Sequence, residues 1–331
     1  MKLDRIFTSH MVFAAGKPIR VWGEGTGCGN IQFDGEEMHF CAIGNRWEVE
    51  FAPRPYGGPY ELRAELGGET VVLEDIMVGE VYLLAGQSNM QFKIKESINA
   101  DMTPELSLDI RMYCPDRLEN NEVLNPTDGW VKNGDRIGDW SAIGYLLGNL
   151  VARKKGVAVG LVACYQGASC IESWVPEGTF EKMGICLTPE QKHHDHFAAL
   201  FLKWNEDGHL YNFAFRQIVP FQFNTVIWYQ GESDTTVAEG NVYAAELGKM
   251  IDIWREDLRD RSLPFVIVQI ADFIPRVDEG WRLVQKAQID IQSQCENVIT
   301  VISKDISECD DIHPKTKGPL AERIAAALER F

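Results

Sequence analysis

No apolar run in the chain approaches the roughly 18–20 residues that a membrane-spanning helix needs, and no Cys-x-x-Cys pair occurs. Basic residues are scarce: 32 Lys and Arg stand against 49 Asp and Glu, a formal net charge of −17. The first shortage excludes a helical membrane protein. The second argues against both a disulfide framework and a structural zinc site, because the eight cysteines are scattered without matching His spacing. Most are therefore expected as reduced thiols, and no metal or other cofactor is expected. The third shortage sets up a field that repels nucleic acid and anionic membranes at long range, so neither is an expected partner. A small or neutral substrate suits it. An anionic one would need a local cluster of cations, for which Arg216, Arg276 and Arg282 are candidates. The opening Met1-Lys2-Leu3-Asp4-Arg5-Ile6 mixes charges with its few apolar residues, so no secretory signal and a cytoplasmic location are expected.

What is present reads as an ordinary globular chain, with 45% hydrophobic and 24% charged residues, so disorder is excluded. Its 331 residues fit one large domain, or a large domain with a small one. Residues 1–76 carry short segments in which charged and apolar residues alternate, such as Arg46-Trp47-Glu48-Val49-Glu50-Phe51, separated by Asp34-Gly35 and Gly57-Gly58-Pro59. That pattern predicts a small antiparallel β-sandwich. From residue 77 to 331 the rhythm changes. Apolar runs at 81–85, 157–162, 225–229, 265–269 and 298–302 predict buried parallel strands, and helical periodicity fills 143–155, 243–259, 281–294 and 319–330. Strands alternating with helices imply an α/β domain whose sheet is covered on both faces, with ligands at the carboxyl ends of the strands. The long stretches 89–140 and 167–224 are candidate walls of a substrate site.

Four segments at strand ends carry chemistry. Ala85-Gly86-Gln87-Ser88-Asn89-Met90 puts a Ser after a Gly at a strand-to-loop junction, where a hydroxyl can project into a crevice while a backbone N–H faces a developing oxyanion. Met90 stands where a G-x-S-x-G elbow would have its second Gly, which disfavours that elbow. Cys309-Asp310-Asp311-Ile312-His313-Pro314 follows the last strand, and an Asp three residues before a His can fix the imidazole tautomer for proton transfer. Asp310 has that spacing; Asp311 stays open as the alternative. Trp228-Tyr229-Gln230-Gly231-Glu232 and Tyr165-Gln166-Gly167 end two further strands with a side-chain amide donor and unobstructed Gly N–H groups.

In this chain order the four segments resemble those of the SGNH hydrolases. More closely, the sequence resembles the sialate O-acetylesterase family, with its G-Q-S-N-M block at 86–90 and Q-G-E block at 230–232. The likeness extends to His10-Met11-Val12, Pro18-Ile19-Arg20-Val21-Trp22-Gly23, Val78-Gly79-Glu80-Val81 and Ile171-Glu172-Ser173-Trp174. The resemblance implies an SGNH-type three-layer sandwich around a parallel sheet, preceded by the small antiparallel β domain. It implies Ser88 as nucleophile, His313 as base and Asp310 as its orienting carboxylate. The oxyanion hole would be the N–H groups of Ser88 and Gly167 and the side chain of Gln230, with Asn89, Glu232 and Asp311 in supporting or alternative places. The implied activity is removal of O-acetyl groups from a sugar, sialic acid first. Acetylated xylo-oligosaccharide or another plant fragment is the alternative substrate, and a non-catalytic carbohydrate-binding protein is the alternative class.

Two further features read as bland. His193-His194-Asp195-His196 is too compact for convergent metal ligation and is expected to be a loop. Trp174, Trp204 and Trp281 could stack on a sugar ring, although burial is the commoner use of Trp.

Overall fold

Alternating side chains in the N-terminal part need two sheets to bury their apolar halves, and two sheets form. In the computed structural model, which describes residues 1–119, 122–124, 128–134, 136–192 and 203–331, the first strands are β1 (Lys2–Leu3), β2 (Val12–Ala14), β3 (Ile19–Glu24) and β4 (Cys28–Phe33). Next come β5 (Glu36–Cys41), β6 (Arg46–Phe51), β7 (Gly57–Leu66) and β8 (Glu69–Gly86). One sheet has the order β1-β3-β6; in the other β4 lies between β5 and β7, which pairs with β8. β6 turns Trp47, Val49 and Phe51 inward and Arg46, Glu48 and Glu50 outward, as a half-wet strand should. Phe33 and Phe51 meet between the sheets at 5.9 Å.

β5 was not visible in the sequence, and it pairs two of the eight cysteines. Cys28 and Cys41 are direct antiparallel partners on β4 and β5, and they form a disulfide. Strand register brings them together, which no Cys spacing advertises. The other six cysteines are thiols.

The change of rhythm at Ile76 falls inside a single strand. The first part of β8 pairs antiparallel with β7, and from Glu80 it becomes a central strand of the large sheet. Beyond it lie α1 (Ser88–Gln91), β9 (Ile110–Tyr113), the hairpin β10 (Arg117–Glu119) and β11 (Glu122–Leu124), β12 (Val131–Lys132), α2 (Ala142–Lys155) and β13 (Val159–Tyr165). The short α3 (Thr179–Lys182) and α4 (His209–Phe213) precede β14 (Thr225–Tyr229), α5 (Val237–Asp257), β15 (Phe265–Val268), α6 (Glu279–Gln294), β16 (Val298–Val301) and α7 (Gly318–Leu328). The large sheet has the order β12-β9-β13-β8-β14-β15-β16, parallel from β9 onward. Every residue of β13, β14 and β15 is buried, so both faces are covered. Helix α2 packs on α7 and α5 on α6, giving the expected three-layer sandwich.

Local signals account for the helix starts. Ser141 caps α2 by accepting from Gly144 N–H, Asp278 caps α6 by accepting from Trp281 N–H, and Thr236 with Glu239 forms a capping box on α5. The β unit is fastened to the large sheet by the stacked Phe13–Phe221 pair at 6.0 Å and by Lys17–Asp260 at 2.6 Å. Alkylation of denatured, unreduced protein should modify six of the eight cysteines. A mass corresponding to eight modified thiols would remove the Cys28–Cys41 bond.

Candidate active site

Parallel pairing brings three strand ends to one level. Gly86 of β8 pairs with Tyr165 of β13 on one side and Tyr229 of β14 on the other, so Gln87, Gln166 and Gln230 leave the sheet side by side. Gln87 N–H donates to Tyr229 O and Gln166 N–H to Gly86 O, each at 2.9 Å. Gly86 has φ +125°, and a Cβ there would lie 2.1 Å from Tyr229 O. Only glycine fits the turn that delivers Ser88.

Ser88 opens the single turn of α1. It is half-buried between buried neighbours, and its N–H has no acceptor among the described residues. It lines a cleft of about 580 Å³ that also holds Gln91, Gly167, Glu232 and His313. The structure thus brings the expected nucleophile and base to one crevice from opposite ends of the chain. The His313 ring lies against Phe92 with ring centres 6.0 Å apart. Burial and the neighbouring Lys317 ammonium hold the imidazole below its ordinary range, with Asp311 and Glu96 pulling the other way. A neutral imidazole is the form a general base requires.

Neither candidate carboxylate bonds the ring among the described residues. Asp310 is exposed, whereas Asp311 Oδ1 accepts the His313 backbone N–H at 2.9 Å. Asp311 therefore shapes the turn carrying the imidazole, and the Asp310 expectation has no contact behind it.

Of the three expected oxyanion donors, Ser88 and Gly167 line the cleft and Gln230 does not. Gln230 is fully buried, with Nε2 donating to Ser169 O at 2.8 Å and to Asp234 Oδ2, and Oε1 accepting from Tyr243 Oη at 2.7 Å. With both of its N–H groups engaged in the core, it faces away from the cleft. Gly167 N–H does reach the cleft, but it donates to Gln91 Oε1 at 2.8 Å.

Asn89 and Glu232 emerge as structural partners of the site. Asn89 Nδ2 donates to Glu232 Oε1 at 2.6 Å and to Ile312 O at 3.0 Å, while its Oδ1 accepts from Lys317 Nζ at 2.7 Å. Glu232 Oε2 is buried with no hydrogen-bond partner among the described residues, and burial raises the carboxyl above its usual range. Lys317, which nothing in the sequence singled out, lies 5.0 Å from the Phe92 ring centre and 5.8 Å from that of Tyr229. Burial pushes its ammonium down to about 8, opposed by Glu232, Glu308 and Asp311.

Of the tryptophans, Trp204 lines the cleft and donates from Nε1 to Gly167 O at 3.0 Å. Trp174 and Trp281 are core residues, 0% and 1% exposed. Of the arginines, Arg276 lines the cleft, whereas Arg216 faces Asp257 and Arg282 pairs with Asp272. Lys93 and Arg117, not anticipated, line the cleft as well. The 193–196 cluster lies outside the described residues. Among those described, no group of His, Cys, Asp and Glu is arranged to hold a metal, and no helix is long and apolar enough to cross a membrane.

A doubly covered parallel sheet with a serine and a histidine sharing a cleft at its carboxyl edge defines the class, an α/β protein with a hydrolase-type site. The profile of the carbohydrate esterase family described as sialic acid-specific acetylesterase matches residues 78–329, and the chain belongs to that family. It is 24% identical over 339 residues to the sialate O-acetylesterase of Mus musculus, covering 85% of this chain and 62% of that protein. Against the enzyme of that name from Homo sapiens it is 25% identical over 320 residues, covering 86% and 60%. The chain spans about three fifths of the length of these relatives. In structure it is similar to a carbohydrate acetylesterase from Xanthomonas citri, with a TM-score of 0.83 and 25% identity over 99% of this chain and 74% of that one.

Replacing Asn89 by Ala would leave a buried carboxylate, a buried ammonium and a carbonyl without their shared partner. Asn89→Ala should cost about 2–4 kcal/mol in urea unfolding. A loss below about 0.5 kcal/mol, the size typical of a surface change, would show that these contacts hold nothing together.

Proposed function

We propose that this chain is a serine esterase that removes O-acetyl groups from an anionic sugar of the sialic acid class. The observation that carries the substrate choice is the charge of the cleft. In a chain of net charge −17, Lys93, Arg117 and Arg276 line the same crevice as Ser88 and His313. The two acidic side chains there are Glu96 and Glu232, and burial raises the Glu232 carboxyl above its usual range. A sugar carboxylate entering this cleft meets cations that a neutral xylo-oligosaccharide would not need. Family membership supports the acetylesterase chemistry.

The chemistry follows from the groups present. Ser88 Oγ attacks the acetyl carbonyl as His313 takes its proton, and Ser88 N–H donates to the oxyanion. Collapse expels the sugar alcohol, which takes the proton back from the imidazolium. Water, deprotonated by His313, then attacks the acetyl-serine and releases acetate. Trp204 gives the sugar an apolar wall, and Asp311 holds the backbone turn that carries the base.

Two outcomes are expected. With an O-acetylated sialic acid, Arg276→Gln or Arg117→Gln should lower kcat/KM by about ten- to hundredfold, the worth of a hydrogen bond to a charged group. Hydrolysis of a neutral chromogenic acetate should stay near wild type, and Ser88→Ala should abolish both. Equal or higher kcat/KM on acetylated xylo-oligosaccharides, with no effect of the arginine changes, would overturn the substrate class. The second outcome concerns pH. Because His313 must be neutral to accept the proton, kcat/KM on the neutral acetate should fall as pH drops, with its midpoint below the ordinary imidazole value of 6.5. A midpoint above that value would contradict the buried, Lys317-facing base.

A further inference from the structure

The wall of the cleft formed at the ends of β9, β10 and β13 holds a buried carboxamide that the ester chemistry does not use. Gln166 follows Tyr165 at the carboxyl end of β13 and is 4% exposed, yet it lines the cleft. Its backbone is fixed by the N–H bond to Gly86 O at 2.9 Å. Its side chain is fixed by Oε1, which accepts the Leu118 N–H of β10 at 3.3 Å. A backbone N–H can bond only to the amide oxygen, so the other terminus is Nε2, with two N–H donors. Nε2 has no hydrogen-bond partner among the described residues, and protein does not enclose it. In a side chain otherwise buried, that leaves the cleft as the place its donors open onto.

Cations gather on the same wall. Arg117 opens β10 immediately before Leu118, Lys93 follows α1, and both line the cleft. Burial raises the buried Cys114 thiol at the end of β9; Arg117 and Lys93 both pull it back, against Asp116, so the two charges surround one strand end. Lys93 forms no ion pair among the described residues. The Asp139 carboxylate that feels its charge is bonded to Lys95 at 2.7 Å, and Glu96 accepts the Lys93 backbone N–H at 2.9 Å. We propose that Gln166 Nε2 and the Lys93 ammonium, beside Arg117, form the subsite that holds the carboxylate of the substrate. The ammonium brings charge on a flexible stem, and the anchored amide brings direction. A sugar without the carboxylate leaves both donors unanswered, and that difference discriminates between substrates. The proposal rests on the reading of the substrate as an anionic sugar and leaves the places of Ser88, His313 and Gly167 as they are.

The test is a ratio of substrates measured on each protein. For wild type, kcat/KM on an O-acetylated sialic acid should exceed that on its methyl ester, whose carboxylate is capped, by about ten- to hundredfold, the worth of hydrogen bonds to a charged group. Gln166→Leu removes the amide donors, and Lys93→Met removes the charge at similar length. Each should lower the ratio by about tenfold, chiefly through KM for the free acid. Gln166→Glu keeps an acceptor for Leu118 N–H but sets a negative charge against the substrate, so it should lower the ratio furthest. A purely structural disturbance would depress acid and ester together and leave the ratio where it was. Should Gln166→Leu fold poorly, Gln166→Glu alone carries the test of the amide.

A wild-type ratio in the Gln166 variants would overturn the assignment of the amide, and a wild-type ratio in Lys93→Met that of the cation. Failure of the underlying reading would look different. Wild-type protein that treats acid and ester alike, or that prefers acetylated xylo-oligosaccharides, would show that no substrate carboxylate is recognised anywhere in the cleft. A strong preference of wild type for the free acid that survives all three substitutions would leave the anionic-sugar reading intact and sink this subsite alone.

Discussion

The carboxamide of Asn89 joins three loops that are distant in sequence. One N–H holds Glu232 at the end of β14, the other holds the carbonyl of Ile312 beside the histidine, and its oxygen holds Lys317 at the start of α7. Asn89 is also the neighbour of Ser88, so the side chain that locks the histidine loop is covalently tied to that serine. Each partner is buried or backbone, and none could be left unpaired cheaply. The mutual position of Ser88 and His313 therefore depends on this one amide more than on any contact between the two residues themselves.

Electrostatics works at two scales in this molecule. The chain as a whole is strongly acidic, while the cleft gathers Lys93, Arg117 and Arg276 around the reacting groups. Within the cleft, burial has opposite consequences for the two signs of charge. It raises the Glu232 carboxyl and lowers the Lys317 ammonium, so both are drawn toward neutrality and can sit close to the imidazole. Burial, and after it Lys317, lowers the His313 imidazole as well. A lowered imidazole suits the proposed role of His313, because an imidazolium cannot accept a proton.

Much of the fold was legible because its signals are local. The parallel strands were recognised from apolar runs, with Thr225–Tyr229 placed to the residue, and the four long helices from periodicity. β9 and β5 were missed. Ile110–Tyr113 is only four residues long within a polar stretch, and Glu36–Cys41 reads as polar because its strand is largely exposed. The first turns of α5 were missed too, since Val237, Glu239, Gly240 and Asn241 follow a capping box rather than an apolar stripe. Ser88 and His313 were identifiable because a strand-end position is a property of the chain.

The amino-acid sequence by itself determined the mixed α/β class, the serine and histidine at strand ends, and the acidity of the whole, since periodicity, turn residues and charge are properties of neighbours along the chain. Tertiary structure alone decided which amide lines the cleft. Gln230 and Gln91 are equally capable donors in the sequence, but Tyr243, Ser169 and Asp234 claim the first for the core and Gly167 holds the second at the cleft. It also decided that Cys28 meets Cys41 and that Lys317 faces the catalytic side of the sheet. These outcomes depend on register and packing between distant segments, and a hydrogen-bonding group has no direction until its partners are in place.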